Sequence, residues 1–169
     1  MKTLHIFDAK DYSPKWQKTL RKAARAVIIE KGKIALVKSK NFGFFKFPGG
    51  GIEQGEKRFD ALLRETREET GLKIITQSVA PLGIVKEKRK DIYDNGIFIQ
   101  TSYYYLASVE GGIANQELDG YESEYGFELA WVDLNTAYNT NIGLQRNSEM
   151  GFLAREAFVL KYLLDNYDA

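Results

Sequence analysis

The chain has 169 residues, 44% apolar and 13% aromatic, which is enough for one compact domain with its own core and cramped for two. Lysine and arginine number 24 against 23 acidic residues, a formal net charge of +1, which argues against coating a nucleic-acid polymer or a membrane surface and leaves small phosphorylated ligands open. Without cysteine there is no disulfide framework, thiol nucleophile or thiolate zinc site, and the single histidine, His5, cannot build a histidine metal cluster and is expected at a surface or an edge. No apolar run approaches the length of a membrane span and the amino terminus lacks a signal-peptide pattern, so the expected address is cytoplasmic.

Residues 1–22 open on the apolar Leu4, Ile6 and Phe7 and continue as a lysine-rich connector with Pro14 and Trp16. They read as an amino-terminal extension packed on a domain that covers residues 23–169. Two β-rich runs, 23–29 and 33–38, flank a hairpin turn at Lys31-Gly32. Arg25 lies inside the first run, and two readings stand side by side: a solvated arginine, or one whose fork contacts phosphate. Residues 41–43 form a turn, and 44–47 run extended into Pro48 and three glycines, Gly49, Gly50 and Gly51. Consecutive glycines allow positive φ and a close approach of backbone to a ligand.

A helix is expected over about residues 57–70, stopped by Gly71. At about 100° per residue, Glu65 and Glu69 stand one turn apart with Glu68 beside them, while Phe59, Ala61, Leu62 and Leu63 cover the core side. Like charges at this spacing repel. Lysine or arginine would neutralise them in part. A hard divalent cation does so better, and Mg²⁺, with Mn²⁺ as a substitute, suits a substrate that brings phosphates.

Beyond the helix, 73–85 reads as extended with a break near Pro81, followed by a charged stretch at 86–90, a turn at 94–96 and a long strand over 97–109. Its aromatic residues Phe98, Tyr103, Tyr104 and Tyr105 suit a core, with one or two rings lining a cleft. Residues 110–128 carry six acidic side chains and no basic one, and read as a mobile, glycine-punctuated loop before a strand at 127–132. Helices follow at 134–138 and 149–166.

Gly50, Glu56, Arg64, Glu65, Glu68, Glu69, Gly71 and Leu72 together match a known signature: glycine, five residues, glutamate, seven residues, then REUxEExGU, where U is a bulky aliphatic residue. The chain thus resembles the Nudix hydrolase family. One position departs, Thr66, where the family has a bulky aliphatic side chain. The resemblance implies a single-domain α/β/α sandwich around a mixed β-sheet, and hydrolysis of a nucleoside diphosphate linked to another moiety. It implies that Glu65, Glu68 and Glu69 hold Mg²⁺, that the Gly49 carbonyl completes the shell, and that Arg64 orients a carboxylate. Gly50 and Gly51 would face substrate, together with Arg25 if its phosphate-contacting reading holds, with Glu56 farther out. Such proteins also bring a carboxylate from an acidic loop as ligand or base; here Glu124 is placed ahead of Glu128 and Glu122, and Glu65 is the alternative base.

For substrate, the proline of ADP-ribose members would fall near Glu87 and the tyrosine of dinucleoside polyphosphate members within 88–90, and neither is present. MutT-like hydrolysis of a nucleoside triphosphate is left by elimination. ADP-ribose or nucleotide-sugar pyrophosphatase activity and a non-catalytic nucleotide sensor are the alternatives. An isopentenyl diphosphate isomerase would need a cysteine. The expected partner is a small nucleotide, with no nucleic-acid polymer and no membrane, and a homodimer is compatible.

Overall fold

The computed structural model describes residues 1–91, 95–112, 114–146 and 150–167; Asp94 of the expected turn and Glu149 at the expected start of the last helix lie outside them. The strands are β1 (Thr3–Asp8), β2 (Gln17–Val27), β3 (Ile29–Glu30), β4 (Lys33–Ser39), β5 (Phe45–Lys46), β6 (Ala80–Lys90), β7 (Gly96–Leu106) and β8 (Phe127–Val132). The helices are α1 (Arg58–Thr70), α2 (Gly120–Tyr125), α3 (Leu134–Gln145) and α4 (Phe152–Asn166), with a 3₁₀ turn at Thr76–Ser78. One sheet runs β1-β6-β7-β2, its β1–β6 and β2–β7 pairs parallel and its β6–β7 pair antiparallel. The other is built on β4, which pairs antiparallel with β3, β5 and β8.

The two-residue alternation of β2 and β4 sorts the core into two layers. Ala24, Ala26, Ile28 and Ala35 face α1 and pack on its Ala61 and Leu62, and the small alanines let the helix come close to the sheet. Val27, Ile34 and Leu36 face the other way, onto Leu134 and Ala137 of α3 and Val159, Leu160 and Leu163 of α4. This is the α/β/α sandwich with a mixed sheet that the sequence implies. Among the described residues, no helix is long and apolar enough to cross a membrane.

Several local expectations change. β2 begins at Gln17, so the boundary expected after residue 22 falls inside a strand, and β1 lies on the edge of the same sheet. His5 is exposed on this edge strand, as expected, and stacks on Phe158. The charged stretch 86–90 is the end of β6, flanked by β1 and β7, where pairing on both edges overrides the polarity of the side chains. α3 runs to Gln145 instead of ending near residue 138. Phe59, expected in the core, is 37% exposed, whereas Tyr104 is fully buried.

Thr66 is also fully buried, and its hydroxyl has no hydrogen-bond partner among the described residues. An unpaired buried hydroxyl costs about 1–3 kcal/mol. Thr66→Val keeps the shape and removes that hydroxyl, so we expect stability to rise by about 1 kcal/mol, or roughly 2–4 °C in Tm for a domain of this size. A thermal melt showing no gain would refute this account of the position.

Candidate active site

The glycine loop is held as an additional strand along β2. The Ala26 amide donates to the Pro48 carbonyl (2.8 Å), Ala24 to Gly50 (3.1 Å), and Ile52 donates to Lys22 (2.9 Å). Gly49 has φ +130°, and a Cβ there would stand 2.1 Å from the Ala24 carbonyl oxygen, so backbone approach forbids a side chain. A Cβ on Gly50 would meet the Glu65 carboxylate at 2.0 Å. Arg25, 4% exposed, spends its Nη1 on the carbonyls of Phe47 (3.2 Å) and Gly49 (3.1 Å). It therefore braces the loop, leaving the Gly49 oxygen a second lone pair.

α1 starts after Lys57 and stops at Gly71, whose φ of 72° is the left-handed value expected of a helix stop. Arg64 is the hub of the acidic face. It grips Glu56 with Nε (2.9 Å) and Nη2 (3.0 Å), reaches Glu65 (2.8 Å) and Glu68 (3.0 Å) through Nη1, and donates from Nη2 to the Gly51 carbonyl (3.2 Å). Glu56 is thus an anchor for Arg64. Glu69 is fully buried, accepts from the Gly49 amide (2.8 Å) and is ion-paired with Lys46. Lys46 was not singled out in the sequence. It is a strand lysine whose burial beside Glu69, and over the Phe127 ring at 4.6 Å, exists only in the folded chain.

The acidic segment is not a free loop. The Ala114 and Glu117 amides donate to the Gly71 (2.9 Å) and Glu68 (2.8 Å) carbonyls, and the Gln116 side chain donates to the Glu69 carbonyl. These bonds satisfy carbonyls that the end of α1 would otherwise leave open. The segment then enters α2 through a reciprocal cap: the Glu122 amide donates to Asp119 Oδ1 (3.0 Å) and the Asp119 amide to Glu122 Oε2 (3.0 Å). The signal, Asp119 three residues before Glu122, is present in the sequence.

This cap delivers Glu122, 6% exposed, to the box helix, and ligand oxygens of Glu65, Glu69 and Glu122 lie within 4.8 Å of one another. Glu124, placed first in the sequence, is exposed on α2 and outside this cluster, and its carbonyl accepts from Asn41 (2.6 Å). Glu128 is paired with Lys40 at 3.0 Å. Glu68 stands at the rim, tied to Arg64, and is not one of the three converging groups.

Burial pushes the Glu65 carboxyl above its ordinary range; Arg64 opposes this and Glu68 adds to it. Burial raises Glu122 as well, against the Asp119 amide and helped by the charge of Glu69. Carboxylates this close, with Lys46 and Arg64 as their paired cations, form an oxygen-only set short of positive charge, which fits a hard divalent ion.

Beside the cluster lies a cleft of about 1330 Å³. Arg21 and Lys46 line it, with the rings of Phe44, Tyr121 and Phe127 as apolar walls. Its floor is a buried network that short-range sequence patterns did not show: Arg155 is paired with Glu87 and Glu156, and Glu156 also accepts from the Phe47 amide (2.9 Å). Of the aromatic strand, Phe98 reaches this cleft, 4.5 Å beneath the Arg89 guanidinium.

The NUDIX domain family model matches residues 19–150. The chain is 34% identical over 109 residues to the nucleoside triphosphatase NudI of Escherichia fergusonii, a match spanning 61% of this chain and 77% of that protein. It is 38% identical over 106 residues to an ADP-ribose pyrophosphatase of Methanocaldococcus jannaschii, spanning 60% and 59%. A solved MutT protein from Bacillus halodurans has the same fold, with a TM-score of 0.59 at 19% identity over 83% of this chain and 82% of that one. A family match over most of the length, on a chain whose α1 glutamates Glu65 and Glu69 converge with Glu122, means that the protein belongs to the NUDIX family, as one of its hydrolases of phosphoric anhydride bonds.

Proposed function

We propose that the protein is a Mg²⁺-dependent pyrophosphohydrolase whose substrate is a nucleoside triphosphate. The observation that carries this reading is the meeting of Glu65, Glu69 and Glu122 at the edge of a cleft with cationic side chains and aromatic walls. Such a cleft takes a polyphosphate at one end and a base at the other. Glu65, Glu69 and Glu122 would hold the cation, with Glu68 and the Gly49 carbonyl beside them and Mn²⁺ as a substitute. The ion supplies neutralisation of the polyphosphate and a lower cost of forming hydroxide near neutral pH.

The chain's own residues do the rest. Arg64 fixes the rotamers of Glu65 and Glu68, Lys46 and the Gly49 amide fix Glu69, and the α2 cap fixes Glu122. Glu65 and Glu122 are the carboxylates placed to take a proton from the attacking water, whichever of them the ion leaves unbound. The name of the Escherichia relative favours a triphosphate, and that of the Methanocaldococcus relative keeps ADP-ribose as the second reading.

A panel of nucleoside triphosphates, damaged purine triphosphates, ADP-ribose, nucleotide sugars and dinucleoside polyphosphates, assayed by phosphate and pyrophosphate release, tests the proposal. A triphosphate is expected to rank first, and turnover to vanish in excess EDTA. A preference for ADP-ribose overturns the substrate. Full turnover in EDTA overturns the metal requirement.

A further inference from the structure

Arg21 lies on β2, in register with Gln100 of β7. Gln100 is 3% exposed and its amide is held by Ser102 Oγ (3.0 Å) and Glu87 Oε2 (3.4 Å), so its Oε1 is a fixed acceptor for Arg21 Nη1 (3.0 Å). That bond aims the rest of the guanidinium at the glycine loop: a Cβ built on Gly51 would stand 3.5 Å from Arg21 Nη2 and 3.8 Å from Nε. Neither nitrogen has an acceptor among the described residues, although Arg21 lines the cleft. Of the neighbouring cations, Lys46 is engaged on Glu69 and Arg155 on Glu87 and Glu156, while Arg25 holds the loop carbonyls through Nη1 and its buried Nε has no partner among the described residues.

We propose that Arg21 grips the phosphate chain of the substrate. Its planar fork offers two free N–H directions beside the glycine backbone, the geometry that phosphate oxygens accept. Arg25, the phosphate candidate from the sequence, holds the loop against which that phosphate rests. The proposal rests on the functional reading above only in taking the anion to be a substrate polyphosphate.

The test is calorimetric binding of inorganic tripolyphosphate in the presence of Mg²⁺ to the parent, Arg21→Gln, Arg21→Lys and Lys18→Gln, an exposed lysine of the same strand outside the cleft lining. Arg21→Gln is expected to raise Kd roughly tenfold or more, Arg21→Lys to recover part of the loss because a point charge cannot fork, and Lys18→Gln to match the parent. A parent that does not bind, an Arg21→Gln Kd within twofold of the parent, or an equal loss in Lys18→Gln overturns the proposal. Nucleotide turnover by the same four proteins separates the two readings. A parent that hydrolyses nothing but loses tripolyphosphate with Arg21 keeps the grip and overturns the function. A hydrolysing parent whose binding and KM ignore Arg21→Gln does the reverse.

Discussion

Glu69→Gln is expected to lower turnover by about two to three orders of magnitude and to destabilise the fold by about 1–3 kcal/mol, whereas Glu68→Gln leaves the fold intact. The two glutamates are adjacent in sequence and equal in charge, but α1 places them differently. Glu69 is fully buried, with one oxygen on Lys46 and the other on the Gly49 amide. A glutamine has a single acceptor oxygen, so either Lys46 or the Gly49 amide is left facing an NH₂ group. Lys46, itself 8% exposed, loses its direct partner and keeps only the neighbouring charges of Glu65 and Glu122. Lys46→Met combined with Glu69→Gln should recover most of the stability and none of the turnover. Chemical denaturation and initial rates on the three variants decide the matter, and a Glu69→Gln protein as stable as the parent refutes the pairing.

Glu122→Gln is expected to lower kcat by on the order of 10²-fold with little change in substrate affinity, while Glu124→Gln and Glu128→Gln stay within a few-fold of the parent. The contrast comes from α2. Its reciprocal cap turns Glu122 inward to the cluster and leaves Glu124, two residues on, exposed. Glutamine also serves in such a cap, so the helix should survive the change. Melts that match the parent would assign the loss to the carboxylate itself. If Glu124→Gln carries the larger loss, α2 has been given the wrong functional face.

The amino-acid sequence by itself determined the features that are local in the chain. The triple glycine, the α1 helix with its Gly71 stop, the spacing of Glu65, Glu68 and Glu69, and the Lys31-Gly32 turn all follow from helical period and backbone freedom over fewer than 30 residues. The box, being one loop and one helix, carried the family and the fold with it. What only the tertiary structure decided joins residues far apart in the chain: Lys46 to Glu69, Arg21 to Gln100, Glu87 to Arg155, and Glu122 to the box helix. None of these pairings has a sequence period, because each depends on strand register or on one segment closing the end of another. Glu124 was therefore the natural choice in the sequence, and Glu122 the one that folding puts beside the carboxylates of α1. The Asp119–Glu122 cap was legible in four residues, but which face it turned inward was not, since that depends on where the end of α1 pins the chain.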